Sequence, residues 1–257
     1  MGFSADWLAL REPADHAARD RGLLQAAIHA AGSQPAIIDL GCGTGSTIRA
    51  FQDHLTGPAR WELVDNDADL LTHAAKAAAG HVRTHQIDLR DLEALPLEGA
   101  SLVTASALLD LCSRQWVETL AARLAAQGLP FYAALNYDGV MEWTPADPAD
   151  APVTQAFNRH QRQDKGLGPA LGPDAADVIA EVFAATGYRV LHAESPWRLG
   201  PEHAALHREL LQGIAQAAEE AGATEARDWG ASRAAAVDRT QCVIGHRDIL
   251  ALPEGDA

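Results

Sequence analysis

The sequence predicts a single α/β domain built on a parallel sheet. Two observations carry this prediction: short apolar runs end in polar residues at regular intervals, and stretches with helical periodicity follow them. Strands that alternate with helices form parallel sheets with right-handed crossovers. A length of 257 residues is sufficient for one such domain with a well-buried core.

The segment 36–45 is the most informative part of the chain. Residues 36–40 read Ala-Ile-Ile-Asp-Leu, which is typical of a buried strand that ends near Asp39. Gly41, Gly43 and Gly45 follow, and glycines allow a tight turn and a close approach of the backbone to a ligand. A helix is predicted over residues 46–54, so its free N–H groups face the same space.

The spacing of these glycines distinguishes two classes of ligand. A dinucleotide-binding loop follows G-x-G-x-x-G, whereas this chain has D-x-G-x-G-x-G from Asp39 to Gly45. That pattern resembles motif I of the class I S-adenosylmethionine (SAM)-dependent methyltransferases. The resemblance implies that SAM binds over this loop and leaves as S-adenosylhomocysteine. The implied contacts are Asp39, Gly41, Gly43 and Gly45, with Cys42 as a small residue that fits between the glycines.

Two further strand ends extend the resemblance, which covers residues 36 to about 139. An acid at the end of the second strand can accept hydrogen bonds from ribose hydroxyls, which predicts this role for Asp65, with Asn66 beside it. The alternative for this segment is a solvated turn. In the family, an acid after the third strand meets the adenine amino group and the next N–H meets a ring nitrogen. The resemblance therefore assigns Asp88 and Leu89 to the adenine.

The N-terminal segment supplies another predicted cofactor contact. In many members of the family a helical extension closes over the cofactor, and residues 5–31 read as one or two helices broken near Pro13. Arg11 or Arg19 could bind the carboxylate of the methionine part in a bidentate way. The alternative is an amphipathic helix whose arginines lie in water. Ser106 ends the fourth strand, in a stretch like the family's motif IV, and is predicted beside the cofactor.

The resemblance also implies the whole architecture. We expect a Rossmann-like doubly wound sheet of seven strands, mostly parallel, with an antiparallel last strand between the fifth and the sixth. The expected segments are a helical cap over 1–34, a cofactor-binding core over 35–136, a lid over 137–172 and the C-terminal half over 173–257. A helical insertion is predicted at 201–239. The lid is predicted because a long segment with many prolines and glycines lacks periodicity.

The acceptor site is predicted at the carboxyl edge of the sheet, where ligands bind in open α/β folds. The lid combines polar and aromatic side chains, a composition typical of small-molecule sites. Tyr137 and His160 are the candidate catalytic residues, although a lone histidine is often structural. The candidate substrate-binding residues are Leu109, Asp110, Asn136, Trp143, Asn158, Arg162 and Lys165.

Charge and cysteine content restrict the partners. A formal net charge of −15 repels polyanions, so the expected acceptor is a small molecule and not a nucleic acid. The three cysteines, Cys42, Cys112 and Cys242, have no metal-binding spacing and fit a reducing cytoplasm. We expect no metal site and no membrane span.

Two other functions fit parts of the pattern. An NAD(P)-binding oxidoreductase shares the first strand–loop–helix unit and the later acid, although Asp39 and the residue at position 46 argue against it. A non-catalytic SAM-binding protein would need the same cofactor residues. The acceptor, the methylated atom, the use of a general base and the oligomeric state stay open at this stage.

Overall fold

A computed structural model, which describes residues 3–77 and 81–254, confirms the predicted α/β fold. The strands of the described residues are β1 (Ala36–Leu40), β2 (Arg60–Asp65), β3 (His81–Gln86), β4 (Leu102–Ser106), β5 (Phe131–Thr144), β6 (Tyr188–Glu194), β7 (Trp197–Leu199) and β8 (Gln241–Pro253). They form one sheet in the order β3-β2-β1-β4-β5-β8-β6, and β7 pairs with β8. Strands β1 to β5 pair in parallel, whereas β8 runs antiparallel to its neighbours β5, β6 and β7.

Helices cover both faces of the sheet. They are α1 (Ala5–Ala18), α2 (Arg21–Ala30), α3 (Ser46–Gln52), α4 (Ala68–Ala77), α5 (Arg114–Ala125), α6 (Asp150–Gln161), α7 (Ala175–Ala185), α8 (Ala204–Glu220) and α9 (Ala226–Ala235). Successive residues of a strand point to opposite faces. Ile37 of β1 accordingly packs with α2, α3 and α4, while Ile38 packs with α5 and α7. A third core joins α1, α6, α8 and α9 to the far ends of β5 and β8.

The sheet has one strand more than the seven that we predicted. The extra strand is β7, a three-residue segment that pairs antiparallel with Cys242 to Ile244 at the start of β8. Strand β8 is 13 residues long and extends beyond β6, so its first residues offer an unpaired edge that β7 completes. The predicted position of the antiparallel last strand, between the fifth and the sixth, is confirmed.

The segment 137–172 is more regular than the predicted lid. The sequence predicts a fifth strand from Leu129 to Leu135, before the lid. Strand β5 instead continues to Thr144, paired with β8 through two irregularities in register. Helix α6 follows, and only the short stretches 145–149 and 162–171 of this segment lack helix or strand. The sequence signal for a strand is weak here because bulges disturb the alternation of apolar and polar residues along a strand.

The N-terminal cap consists of two helices, but the break between them is not at Pro13, which lies inside α1. The chain turns at Arg19 and Asp20. The Asp20 carboxylate accepts a hydrogen bond of 2.7 Å from the Leu23 N–H and thereby caps the start of α2. No helix among the described residues is long and apolar enough to cross a bilayer.

Candidate functional site

A cavity of about 360 Å³ opens at the carboxyl edge of the sheet. It lies over the loop after β1 and is bounded by the ends of β2, β3 and β4 and by α1. The predicted site residues that line it are Arg11, Gly41, Cys42, Gly43, Asp65, Asn66, Asp88, Leu89, Ser106 and Lys165. Two predicted cofactor residues, Asp39 and Gly45, lie outside this lining.

The loop after β1 has the conformation that its glycines predict. Gly41, Gly43 and Gly45 have φ angles of 63°, 54° and 85°, which residues with a Cβ rarely adopt. A Cβ on Gly45 would lie 3.3 Å from the Cα of Ala74, so this glycine allows the loop to pack on α4. Burial raises the pKa of the Cys42 thiol, which is therefore a neutral small side chain in the cavity wall.

Asp65 fixes this loop at the end of β2. Its Oδ2 accepts a hydrogen bond of 2.9 Å from the Gly43 N–H, and its Oδ1 accepts one of 3.0 Å from the Asp67 N–H. The side chain is buried yet lines the cavity. A carboxylate has about four acceptor positions, so Asp65 can bind a ligand hydroxyl while it holds the loop.

Asp88 forms an ion pair that the sequence analysis did not identify. The Nε of Arg90 donates to its Oδ2 over 2.9 Å, and both side chains line the cavity. The hydrogen bond from Arg90 lowers the pKa of Asp88 to about 2. The two residues are separated by one position in an exposed turn, where no hydrophobic periodicity signals the pairing.

Asp39 and Arg19 form a buried polar group at the base of the site. The Oδ1 of Asp39 accepts a hydrogen bond of 2.7 Å from the Thr104 hydroxyl, while its Oδ2 has no partner among the described residues. Arg19 is 5% exposed and donates from Nη2 to the Ser106 hydroxyl over 2.7 Å. Its Nε and Nη1 are buried and lack a partner in the described part of the chain. Unpaired buried donors of this kind indicate a place for an additional acceptor.

The pKa of Asp39 leads to a prediction about stability. Burial raises it to about 6 from an ordinary 3.8, so the folded protein binds this proton more tightly than the unfolded chain. The contribution of Asp39 to the free energy of unfolding is fully present below about pH 4. It falls by about 2 to 3 kcal/mol as the pH rises through 6. Asp39→Asn cannot ionise and should gain stability relative to the wild type between pH 4 and pH 7. Urea unfolding of the ligand-free proteins measures this difference, and a difference independent of pH would contradict it.

The predicted acceptor residues are dispersed, and Lys165 alone among them lines the cavity. Arg162 forms an exposed ion pair with Asp174, and His160 contacts Lys165 and Glu220 outside the lining. Trp143 stacks on His207 in the core beside α8. The predicted cluster is dispersed because β5 continues past the cavity and carries this part of the chain away from it.

The other five candidates have structural partners or are largely enclosed. Leu109 is fully buried in the core, and the amide of Asn136 donates to two backbone carbonyls. The hydroxyl of Tyr137 donates a hydrogen bond of 2.7 Å to the side chain of Asn158. The Asn158 amide in turn donates a hydrogen bond to the Gly139 carbonyl. The remaining candidate is the carboxyl of Asp110, whose enclosed Oδ1 lacks a partner among the described residues. Burial raises the pKa of Asp110 to about 6.

Some lining residues had no signal in the sequence. Phe3, Leu8, Leu108, Leu111 and Leu167 give the cavity an apolar wall on the side of α1 and β4. Their spacing in the sequence is irregular, and only the fold brings them together. Within residues 3–77 and 81–254, no group of three histidine, cysteine or acidic side chains could hold a metal ion.

Comparisons with known proteins agree with this geometry. Residues 37–128 match the family profile described as "Methyltransferase domain". No curated protein sequence matches the chain.

Solved structures with the same fold cover nearly the whole chain. The cyclopropane synthase MmaA2 from Mycobacterium tuberculosis has 15% identity and a TM-score of 0.53, over 97% of this chain and 94% of that one. The YcgJ protein from Bacillus subtilis has 18% identity and a TM-score of 0.54, over 92% and 100%. A geranyl diphosphate C-methyltransferase from Streptomyces coelicolor A3(2), bound to Mg²⁺, geranyl diphosphate and S-adenosylhomocysteine, has 15% identity and a TM-score of 0.51, over 91% and 79%. At these identities the likeness concerns the fold.

Proposed function

We propose that the chain transfers the methyl group of SAM to a small molecule, because residues 37–128 match a methyltransferase-domain profile and solved methyltransferases share its fold. The observation that carries this proposal is the cavity itself. The glycine loop after β1 and the acids at the ends of β2 and β3 line one continuous space. Nine of the residues predicted to hold SAM from the sequence resemblance meet there.

We assign each part of SAM to a part of the cavity lining. In our proposal, the ribose hydroxyls donate to Asp65 and the adenine lies near Asp88 and Leu89, where Arg90 limits the space. The methionine part lies over Gly41 and Gly43, at which a side chain would enter the site. Geranyl diphosphate methyltransferases of similar fold have been solved with SAM or S-adenosylhomocysteine, which supports SAM as the cofactor of this proposal.

The unpaired guanidinium nitrogens of Arg19 favour this residue over Arg11 for the methionine carboxylate. Arg11 already donates to Asp15 from Nε and Nη2, at 2.9 and 3.1 Å, and its guanidinium lies over the ring of Trp197. Arg19 lies outside the cavity lining, but it has two buried donors without partners among the described residues and donates to Ser106, which lines the cavity. The neighbouring Oδ2 of Asp39, which also lacks a partner among the described residues, suits the amino group.

When bound, SAM supplies a methyl group that its sulfonium charge has already activated. The residues of this chain therefore have to orient the donor and an acceptor in line, which can lower a barrier by roughly 7–11 kcal/mol in favourable cases. A net charge of −15 disfavours a nucleic acid as the acceptor. The free cysteines are all buried and suit a cytoplasmic enzyme, the localisation that we propose.

Calorimetry with SAM and NADH tests this function. We expect SAM to bind to the wild type and NADH not to bind. Arg19→Met should weaken SAM binding by about tenfold or more, because a charge-assisted hydrogen bond contributes about 1.5–3 kcal/mol. Methyl transfer itself is measured as S-adenosylhomocysteine formed with a panel of small acceptors.

Arg21→Met is the matched control, since Arg21 begins α2 and is exposed. It should bind SAM as the wild type does. Binding of NADH without binding of SAM would overturn the proposal in favour of an oxidoreductase. Binding of SAM without turnover across a broad acceptor panel would instead indicate a non-catalytic SAM-binding protein.

A further inference from the structure

Lys165 differs from the other charged groups of the cavity. It is one of two lysines in the sequence and lines the cavity beside Gly166 and Leu167. None of the described carboxylates forms a salt bridge with it, and its nearest polar contact is the Nδ1 of His160 at 3.2 Å. Burial lowers the pKa of Lys165, as expected for an ammonium group that is partly withdrawn from water.

His160 and Glu220 hold this ammonium group in place. The Nε2 of His160 is 3.1 Å from the Oε2 of Glu220 on α8. An ammonium group can only donate, so the Nδ1 of His160 accepts from Lys165 and its proton lies on Nε2, directed at Glu220. Glu220 thus orients the His160 ring, and the positive charge lies on the Lys165 ammonium group.

The backbone around Lys165 is also fixed. The Gly166 N–H donates to the Asp164 carboxylate over 2.7 Å, and the Leu167 carbonyl accepts from the Ser113 N–H over 3.3 Å. The Leu171 N–H donates to the Cys112 carbonyl over 2.8 Å. These bonds attach the segment to the chain that follows β4. Lys165 thus has a defined position at the β4 side of the cavity.

The cavity has opposite charge at its two ends. Asp65, Asp67 and Asp88 lie at the ends of β2 and β3, whereas Lys165 lies beside the segment after β4. Strand β4 is two strands from β2, which corresponds to about 10 Å across the sheet. The other two cations of the lining already have carboxylate partners, since Arg11 pairs with Asp15 and Arg90 pairs with Asp88.

The surroundings of the ammonium group are apolar. Leu108, Leu111 and Leu167 line the same part of the cavity. Two of the three ammonium protons have no partner among the described side chains. A cation with spare donors beside an apolar wall suits a ligand that combines an anionic group with an apolar body.

We infer that the methyl acceptor carries a carboxylate, phosphate or sulfonate group that binds to the Nζ of Lys165, with its apolar part against Leu108, Leu111 and Leu167. His160 and Glu220 are positioning residues that act through Lys165. This inference rests on the proposed function, because it treats the β4 side of the cavity as the acceptor site. It names the chemical class of the acceptor.

A matched pair of fluorescent probes tests the inference in protein saturated with S-adenosylhomocysteine. Anilinonaphthalene sulfonate has an apolar body and one anionic group, and phenylnaphthylamine has the same body without the charge. Lys165→Met keeps the apolar stem and removes the ammonium. We expect it to bind the sulfonate probe about tenfold or more weakly than the wild type and the uncharged probe equally well.

Further variants separate a positioning role from general structural damage. His160→Ala should weaken binding of the sulfonate probe by less than Lys165→Met does. The double variant should bind this probe no more weakly than Lys165→Met alone. Lys76→Met, at the exposed second lysine on α4, should leave both probes unchanged.

Three outcomes would overturn the inference. The first is that the wild type does not bind the sulfonate probe, and the second is that Lys165→Met binds that probe as tightly as the wild type does. The third is that Lys165→Met loses affinity for both probes to the same extent. The affinity of Lys165→Met for S-adenosylhomocysteine should equal that of the wild type. A wild type that does not bind S-adenosylhomocysteine would instead count against the proposed function.

Discussion

Asp65→Ala is expected to lower the affinity for SAM by about 100-fold or more. The carboxylate has two tasks at once, since it accepts from the Gly43 N–H in the loop and offers further acceptor positions to the ribose. Each charge-assisted hydrogen bond contributes about 1.5–3 kcal/mol, and loss of the loop contact also leaves a buried N–H without a partner. Calorimetry with SAM on the wild type and the variant measures the loss directly.

Two further variants serve as comparisons for Asp65→Ala. Asp65→Asn keeps one acceptor oxygen in the same shape and should lose less affinity than Asp65→Ala. Asp53→Ala removes an exposed carboxylate that follows α3 and should leave SAM binding unchanged. If Asp65→Ala bound SAM as tightly as the wild type, the ribose assignment would be wrong.

That the glycine loop, Asp65 and Asp88 line one cavity could be predicted because the residues that determine it are local in sequence. The glycine loop follows β1 directly, and Asp65 and Asp88 stand at or just after the ends of the next two strands. In a parallel sheet these ends meet at one edge, so three short motifs are sufficient to predict one site. Arg90 was missed because a contact between two exposed residues leaves no periodic pattern.

The positions of the candidate acceptor residues could not be predicted in the same way because they depend on where β5 ends. An expected end at Leu135 places Tyr137 and Trp143 at the cavity, whereas the observed strand carries them into the core beside α6 and α8. The continuation depends on pairing with β8, which is distant in the sequence: Thr144, for example, pairs with Gln241. Long-range pairing of this kind is not visible in local composition.

The bulge in β5 depends on one buried carboxylate of β8. Asp248 is fully buried and accepts three hydrogen bonds: from the Leu135 N–H at 2.8 Å, from the Tyr132 hydroxyl at 3.0 Å and from the Asp20 N–H at 3.0 Å. Leu135 has a φ of 57°, which is unfavourable for a side chain of its size. The same carboxylate thus holds this residue in place and attaches the start of α2, next to Arg19, to the sheet.

Asp248→Ala should therefore lower the free energy of unfolding by about 3 kcal/mol or more, because it leaves three buried donors unsatisfied at about 1–3 kcal/mol each. Urea unfolding at neutral pH measures the change. Tyr132→Phe removes one of the three donors and should cost far less, and Asp238→Ala, at an exposed position, should cost almost nothing. Equal stability of Asp248→Ala and the wild type would refute this account of β5. Since the Asp20 N–H fixes the turn that carries Arg19, SAM affinity should also fall in Asp248→Ala protein that is still folded, and not in Asp238→Ala.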